Sequence, residues 1–276
     1  DGNTIPFIAR YRKEMHGSMD DQLIREFAEK LEYLRGLDKR RDEIRSLIDA
    51  QEKLTDEINL ALDKAATLSE LEDIYRPYRP KRKTRASIAK EKGLEPLAND
   101  ILKQEKGFDP SKSAVDYIDE EKGVTSVEDA IQGAMDIIAE LVSDNAEIRK
   151  RIRNLTNANG VLVSVATDEE KDSVYKNYYD YKEPVKKIAG HRVLAVNRGE
   201  KEGFLKVSVE TDSEKPLNSI FRAMITDKNQ LCSDIIREAC TDAYQRLIYP
   251  SIEREVRNDL TDTASENAMK VFAVNL

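Results

Sequence analysis

The segment from Ser126 to Leu141, SVEDAIQGAMDIIAEL, contains the strongest helical pattern in the chain. Its apolar residues recur at intervals of three and four, which places them on one face of an α-helix. They are Val127, Ala130, Ile131, Ala134, Ile137, Ile138 and Leu141. Ser126 suits an N-cap, and acidic residues follow at once in the first turn, where they interact favourably with the helix dipole. The stretch therefore predicts a capped amphipathic helix.

The same spacing recurs on the N-terminal side of this segment. Leu23, Phe27, Leu31 and Leu34 predict a long helix, and two further apolar sets follow it, Ile44, Leu47 and Ile48, and, after a capping Thr55, Ile58, Leu62 and Ala65. Short helices are predicted for Ala86 to Lys92 and Pro96 to Gln104, separated by Gly93 as a C-cap. Near the N-terminus, Ile5, Phe7 and Ile8 are expected to dock on a core.

The pattern changes at Val161. The sequences VLVSVA, starting there, and FLKVSVE, from Phe204 to Glu210, contain β-branched residues in alternation and predict two strands. Between them, His191 to Arg198 predicts a helix that stops at Gly199. The tail returns to a helical pattern, from Asn229 to Asn275, broken only by Pro250.

These patterns predict a mainly α, multi-helical fold with a small β element. The composition agrees, because 36% of the 276 residues are charged, 6% are aromatic and none is Trp. We predict an N-terminal helical domain over residues 1–122, with a basic loop at 76–90. A second helical region would cover 123–276, with its β element around 161–210 and long C-terminal helices.

No residue pattern indicates catalysis. The chain has neither a GxxxxGK[ST] nor a GxGxxG phosphate loop, and its two histidines, His16 and His191, have no Cys or His at zinc-ligand spacing. Cys232 and Cys240 share an apolar helix face and lie too far apart for a disulfide within one helix, so we expect both in the core. We predict no enzyme activity, no metal and no cofactor.

The chain also has no sign of a membrane or secretory segment. No apolar run approaches the roughly 18 residues that a spanning helix needs, and no charged-then-apolar leader opens the sequence. A cytoplasmic protein is expected. Because the sequence opens on Asp1 and stops at Leu276 within the run MKVFAVNL, we expect it to be a fragment of a longer protein.

The stretch from Ile74 to Leu97, IYRPYRPKRKTRASIAKEKGLEPL, stands out by its charge. From Arg76 to Lys90 its cations follow one another without an acidic residue between them, in a chain of net charge -8. They are Arg76, Arg79, Lys81, Arg82, Lys83, Arg85 and Lys90. Such a local inversion of sign favours an anionic partner, and Tyr75 and Tyr78 could stack on unpaired bases. The alternative is a solvated loop that balances the acidic helices around it.

Arg192 and Arg198 are weaker candidates for the same role. Their guanidinium groups could bind phosphates as planar donor forks. They could equally pair locally, Arg198 with Glu200 or Glu202, while Val193 and its neighbours enter the core. Nothing in their spacing decides between these possibilities.

Three motifs together resemble a known family. NTIPFIARYRKE (Asn3 to Glu14), LEDIYRPYRPKRKTRASIAKEKGLEPLA (Leu71 to Ala98) and AGHRVLAVNRGEKEGFL (Ala189 to Leu205) are similar, in this order, to Tex, the bacterial transcription accessory protein. The resemblance runs along the whole chain. It implies a nucleic-acid-associated, non-catalytic role in transcription, with RNA or DNA as partners and with RNA polymerase or other transcription proteins as a second class of partner. The family's RNase-H-like, helix-hairpin-helix and OB-fold RNA-binding domains would lie outside this sequence, so binding here would be auxiliary.

Two other function classes remain open from the sequence. A protein-interaction module, docking its acidic helices on polymerase or a ribosome-linked partner, would suit the net charge better than nucleic-acid binding does. A nuclease using clustered carboxylates and a metal would suit the family's RNase-H-like domain, but the sequence ends before that domain is expected. Salt-dependent retention on nucleic acid separates the first class from nucleic-acid binding, and metal-dependent cleavage would indicate the second.

Overall fold

A computed structural model describes residues 7–8, 11, 21–80, 83–226 and 228–274. The chain divides into two compact units, residues 1–80 and 81–276. This division does not coincide with the predicted one after residue 122. The helices of residues 85–114 pack against the helix of residues 127–144, so they share a core with the segments that follow them.

The described part of the first unit is helical. It contains α1 (Asp21–Asp49), α2 (Asp56–Lys64), α3 (Leu68–Tyr75) and a 3₁₀ turn (Arg76–Tyr78). Threonine N-caps start α2 and α3, since Thr55 accepts from the Ile58 N–H and Thr67 from the Glu70 N–H. The predicted cap at Thr55 is confirmed. The core consists of Leu37, Ile44, Ile48, Leu62, Ala65, Leu71 and Tyr75.

The N-terminal half of α1 differs from its C-terminal half in burial. The predicted helix is confirmed, but its first apolar stripe is exposed, up to 66% at Phe27. The stripe consists of Leu23, Phe27, Leu31 and Leu34. Helices α2 and α3 cover only the later positions of α1, such as Ile44 and Ile48. Of the segment expected to dock on a core, Ile5 lies outside the described residues and Phe7 is exposed.

The second unit begins with a helical cluster. Its helices are α4 (Arg85–Glu91), α5 (Glu95–Lys103), α6 (Pro110–Ala114), α7 (Val127–Asp144) and α8 (Ala146–Asn159). Gly93 has a φ of +85°, which a residue with a side chain rarely adopts, and it ends α4 as predicted. Ser126 caps α7 by accepting from the Asp129 N–H at 3.1 Å. Helix α7 lies at the centre of this cluster and contacts α4, α5 and α6.

A three-stranded antiparallel sheet follows α8. It consists of β1 (Val161–Ala166), β2 (Asp180–Pro184) and β3 (Leu205–Glu210), in the order β2-β1-β3. The two predicted strands, β1 and β3, are confirmed. Strand β2 was not predicted, because its sequence DYKEP lacks an alternating apolar pattern. It lies at an edge, where the sheet tolerates a terminal proline.

Helix α9 (Gly190–Lys201) continues beyond the predicted stop at Gly199. A Cβ at Gly199 would lie 2.6 Å from Leu205 Cδ1 and 3.1 Å from the Tyr175 ring. This glycine therefore permits close packing of the helix on β3, and Gly203, with a φ of +79°, makes the turn instead. The predicted stop at Gly199 is wrong.

The C-terminal helices form one long rod after α10 (Glu214–Met224). The rod consists of α11 (Gln230–Asp242), a π-helical stretch (Ala243–Ile248) and α12 (Tyr249–Val274). The helix is not broken at Pro250, contrary to the prediction. In an α-helix the proline ring would clash with the carbonyl of Arg246. The wider π-helical turn just before it lets the rod continue.

The two cysteines lie on α11 within the core, as predicted, and both are free thiols with no exposed surface. Burial raises the pKa of the Cys240 thiol to about 12. A thiol in this setting is a packing residue and not a nucleophile at neutral pH. None of the described helices has the length and apolar character needed to cross a membrane.

Candidate nucleic-acid interface

The basic segment, residues 76–90, begins with the 3₁₀ turn (Arg76–Tyr78) and ends within α4 (Arg85–Glu91). Arg79, which precedes Pro80, is extended with φ -64° and ψ 139°, as a following proline favours. Arg76 precedes Pro77 but keeps helical angles of -50° and -45°, because it continues directly from α3. The backbone is therefore extended before Pro80 and helical before Pro77.

Helix α4 starts at a reciprocal capping box. The Ser87 N–H donates to Thr84 Oγ1 at 3.0 Å, and the Thr84 N–H donates to Ser87 Oγ at 2.8 Å. Thr84 Oγ1 also donates to Glu140 Oε1 on α7 at 3.0 Å. These bonds fix the residues next to Lys83 and Arg85, so the helix end presents both cations from a defined backbone.

Tyr75 belongs to the core of the first unit. Its ring is only 7% exposed, and the guanidinium carbons of Arg40 and Arg79 lie 5.8 Å and 5.6 Å from the ring centroid. Arg79 also forms an ion pair with Glu72, which accepts from Arg40 Nε at 2.7 Å. A ring enclosed in this way offers no free face to a nucleic-acid base, so the structure does not favour the stacking predicted for Tyr75.

Tyr78 and Arg76 are partly buried at the same end of the first unit. Tyr78 packs against its core, and its carbonyl accepts from Gln51 Nε2 at 2.9 Å. Arg76 lies in the 3₁₀ turn with intermediate exposure. Of the predicted aromatic pair, Tyr78 therefore keeps the more accessible ring.

Lys83 and Arg85 are exposed. The Lys83 side chain is 70% exposed, and its ammonium lies 3.9 Å from the Glu91 carboxylate, at the outer limit of an ion pair. Burial raises the pKa of the Asp136 carboxyl, and the positive charges of Arg246 and Arg85 oppose that rise. Arg85 is therefore close enough to Asp136 to affect its ionisation. Lys81 and Arg82 lie outside the described residues.

Arg192 is held by a glutamate on the sheet. Its Nη1 donates to the two carboxylate oxygens of Glu183 at 3.0 Å and 2.9 Å, and to the Tyr181 hydroxyl at 3.3 Å. The Tyr181 hydroxyl in turn donates to Glu183. The bond from Tyr181 and the contacts from Arg192 lower the pKa of the Glu183 carboxyl. This cluster ties α9 to β2.

Arg198 pairs with Glu202, one of the two partners expected for local pairing. Its Nε donates to Glu202 Oε1 at 3.0 Å, although the side chain is 76% exposed. Bonds from Arg198 and Tyr175 lower the pKa of the Glu202 carboxyl. Arg192 and Arg198 are six residues apart, which is about 120° around an α-helix, so they do not share one face.

Two arginines that the sequence did not single out are buried on α8. Arg149 has no exposed surface, and its Nη2 donates to Glu255 Oε1 at 2.5 Å and to Ser251 Oγ at 3.1 Å. Arg153 Nη2 donates to Glu255 Oε2 at 2.8 Å. In EIRKRIRN, Arg149 and Arg153 are four residues apart, near the apolar Ile148 and Ile152, and this was the available signal.

Within the described part of the chain, no three His, Cys, Asp or Glu side chains converge to hold a metal ion. His191 is exposed at the start of α9, and His16 lies outside the described residues. The clusters around Arg192, Arg198 and Arg149 are ion pairs between side chains of opposite charge. Such pairs stabilise local structure.

Comparison with known proteins identifies the family. Residues 105–272, more than half of the chain, match the family model described as Tex central region-like, and residues 1–49 match the Tex-like protein N-terminal domain. The YdcI protein of Bacillus subtilis is 45% identical over the whole chain, which spans 39% of that protein. The transcriptional accessory protein Tex of Neisseria gonorrhoeae is 36% identical, and the chain spans 37% of its length.

A human relative is more distant. S1 RNA-binding domain-containing protein 1 of Homo sapiens is 30% identical over the whole chain, which spans 29% of its length. The chain thus corresponds to well under half of each of these relatives. The three motifs singled out in the sequence and the two matching family models agree, and this chain belongs to the Tex family.

Proposed function

We propose that this chain is a helical framework of a Tex-like transcription accessory protein and that its basic segment binds nucleic-acid phosphates without catalysing a reaction. The observation that carries the proposal is the uninterrupted series of cations from Arg76 to Lys90, in a chain of net charge -8. Lys83 and Arg85, at the start of α4, are exposed. The names of the relatives support the setting, since one is a transcriptional accessory protein and one is named for an S1 RNA-binding domain.

The contacts would come from the later half of the segment. Arg79 already pairs with Glu72 and stacks on Tyr75, so binding a phosphate would cost these contacts. Among the described residues, Glu91 is the one ion-pair partner of Lys83, at 3.9 Å, and Arg85 projects from the first turn of α4. We therefore assign the phosphate contacts to residues 81–85. Binding by so few cations is weak, independent of base sequence and sensitive to salt.

A single strand is the preferred form of nucleic acid in this proposal. Tyr78 is the aromatic side chain of the segment that is not enclosed in the core, and one stacked base contributes about 1 to 3 kcal/mol. Bases in a duplex are already stacked on their neighbours and cannot use such a ring. RNA polymerase remains a possible partner class only through the family, and the segment itself gives no argument for it.

The test is a salt titration of binding to a fluorescent single-stranded RNA, measured by anisotropy. The variant K81Q/R82Q/K83Q/R85Q removes four cations, so the logarithmic salt slope should flatten by about three units, at about 0.7 per contact. A control, K53Q/K106Q/K201Q/K228Q, changes the net charge equally at exposed positions elsewhere. Its slope should equal that of the parent chain.

The same titration can reject the proposal. If the K81Q/R82Q/K83Q/R85Q variant binds as the parent does at every salt concentration, the segment is a structural or protein-contact element. If both variants weaken binding equally, only the net charge matters, and no local site exists. Cleavage of the labelled RNA in the presence of Mg²⁺ or Mn²⁺, removed by changing one carboxylate, would contradict the non-catalytic role.

A further inference from the structure

A cavity of about 350 Å³ opens within residues 81–276, and its lining includes none of the candidate residues discussed above. It lies where the C-terminal turns of α8, the end of β2 and the start of α10 meet. Its volume falls at the lower end of the range for small-molecule sites, about 300 to 1,000 Å³. The cavity is large enough for part of a nucleotide.

Two lysines from different segments line this cavity. Lys186 follows β2, and Lys215 is in the first turn of α10. Neither ammonium has an ion pair or a hydrogen bond to any residue in the described part of the chain, whereas Arg192 and Arg198 are both paired. The lysines can therefore bind an anion without losing an existing contact.

The acidic group at the cavity is already engaged. Asp212 lines the cavity, but its Oδ1 accepts the Glu214 N–H at 3.0 Å, at the start of α10. This bond satisfies a backbone donor and directs one carboxylate oxygen towards the helix. With two lysines and one aspartate, the lining has an excess of positive charge, in contrast to the chain as a whole.

The rest of the lining is largely apolar. Leu155 projects from α8, Val161 and Pro184 are cross-strand partners at the end of the sheet, and Pro216 follows Lys215. Apolar surface with a few polar groups placed at one side is the usual character of a small-molecule site. A ring or sugar can pack on the apolar side chains while a phosphate lies between the two ammonium groups.

We propose that this cavity binds a phosphate group of a nucleotide, with Lys186 and Lys215 as its contacts. The phosphate can belong to a free nucleotide or to a nucleic-acid strand, since the recognised chemistry is the same. The proposal shares no residue with the basic segment, so each can fail while the other holds.

Lysine acetylation footprinting tests the contacts directly. The parent chain is treated with an acetylating reagent alone, with metal-free ATP, and with a twelve-nucleotide oligouridylate, and the modified lysines are quantified by mass spectrometry. We expect Lys186 and Lys215 to be protected about threefold or more, and the exposed Lys53 and Lys106 to be unaffected. Protection by ATP identifies a free nucleotide as sufficient, and protection by the oligonucleotide alone identifies a strand.

A binding measurement on one variant and a footprint on a second complete the test. K186Q/K215Q should weaken binding of the protecting ligand by about tenfold, while K53Q/K106Q should leave it within about twofold. Ala158→Glu introduces a carboxylate at an exposed position of the cavity wall and should abolish protection without changing the circular dichroism spectrum. Equal acetylation with and without both ligands, or full binding by K186Q/K215Q, would overturn the proposal.

Discussion

The arginines of α8 and α9 and the two cations at the start of α4, Lys83 and Arg85, have the same charge but differ in what surrounds them. Arg149, Arg153 and Arg192 each donate to a glutamate on another element. Lys83 and Arg85 project from the end of a short helix into solvent. A cation recognised in a sequence is therefore a stronger binding candidate where the folded chain leaves it exposed than where a partly buried glutamate already holds it.

Polar side chains of other elements also bind the backbone groups at the edge of the sheet. Arg257 donates to the Val207 carbonyl at 2.9 Å and to Glu200, which accepts the Val207 N–H at 3.2 Å. Two residues further along β3, Glu253 accepts the Val209 N–H, and the Tyr249 hydroxyl donates to the Val209 carbonyl. Side chains thus satisfy the outer edge of β3, which would otherwise present unpaired backbone groups to another chain. These charges stabilise the fold.

The largest effect that distinguishes the two groups is expected at Arg149. Arg149→Ala leaves the partly buried Glu255 with one fewer partner and leaves a cavity in a fully buried position. We expect the free energy of unfolding, measured by urea denaturation, to fall by about 3 kcal/mol, the lower end of the range for breaking a buried pair, because Arg153 still contacts Glu255.

Arg151→Ala on the same helix is the matched control. Arg151 is exposed, and its replacement should change the free energy of unfolding by no more than about 0.5 kcal/mol. If the two variants were equally stable, the pairing of Arg149 would contribute nothing, and the contrast between buried, paired cations and exposed ones would lose its energetic basis.

A smaller, pH-dependent effect is expected at Glu183. The pKa of its carboxyl is lower in the folded chain, chiefly because Tyr181 and Arg192 donate to it. The charged form therefore stabilises the fold above the unfolded pKa of about 4.3, and this contribution disappears as pH falls through the lower folded value. Between pH 6 and pH 3, the Tm of the parent chain should therefore fall further than the Tm of the Glu183→Gln variant.

The exposed Glu169→Gln, in the loop between β1 and β2, serves as the control for that measurement. This substitution removes the same charge, and the Tm of the variant should fall with pH by as much as the Tm of the parent chain. If the Tm of the parent and of Glu183→Gln depended on pH in the same way, Tyr181 and Arg192 would not stabilise the charged carboxylate. Arg192 would then be available to an anion.

Much of the fold could be predicted from local patterns. Helix α7 and its cap at Ser126 follow from apolar spacing and a capping residue, and β1 and β3 follow from alternation. These signals are local, because a helix or strand with one buried face repeats at a fixed period. The burial of Cys232 and Cys240 follows from the same rule.

What could not be predicted depends on neighbours distant in sequence. Strand β2 exists because β1 offers it an edge, not because DYKEP favours a strand. Gly199 looks like a stop signal until Leu205 is seen to lie against it. The rod continues past Pro250 because a π-helical turn absorbs the proline. Tertiary contacts decided each case.

The candidate site shows the same limit. The charge of the basic segment is evident in the sequence, whereas the enclosure of Tyr75 and the pairing of Arg79 with Glu72 depend on how α1 and α3 pack. The local pairing of Arg198 with Glu202 was one of two possibilities in the sequence. The contact of Arg192 with Glu183 requires β2, which the sequence did not indicate.

The central claim is that the cations of residues 81–85, of which Lys83 and Arg85 are exposed, contact nucleic acid and that the paired arginines of α9 do not. The most direct measurement is the salt slope of single-stranded RNA binding for K81Q/R82Q/K83Q/R85Q beside R192Q/R198Q, with folding of both checked by circular dichroism. The account predicts a slope flattened by about three units in the first variant and unchanged in the second. A flattened slope for R192Q/R198Q with a parental slope for the other variant would contradict it.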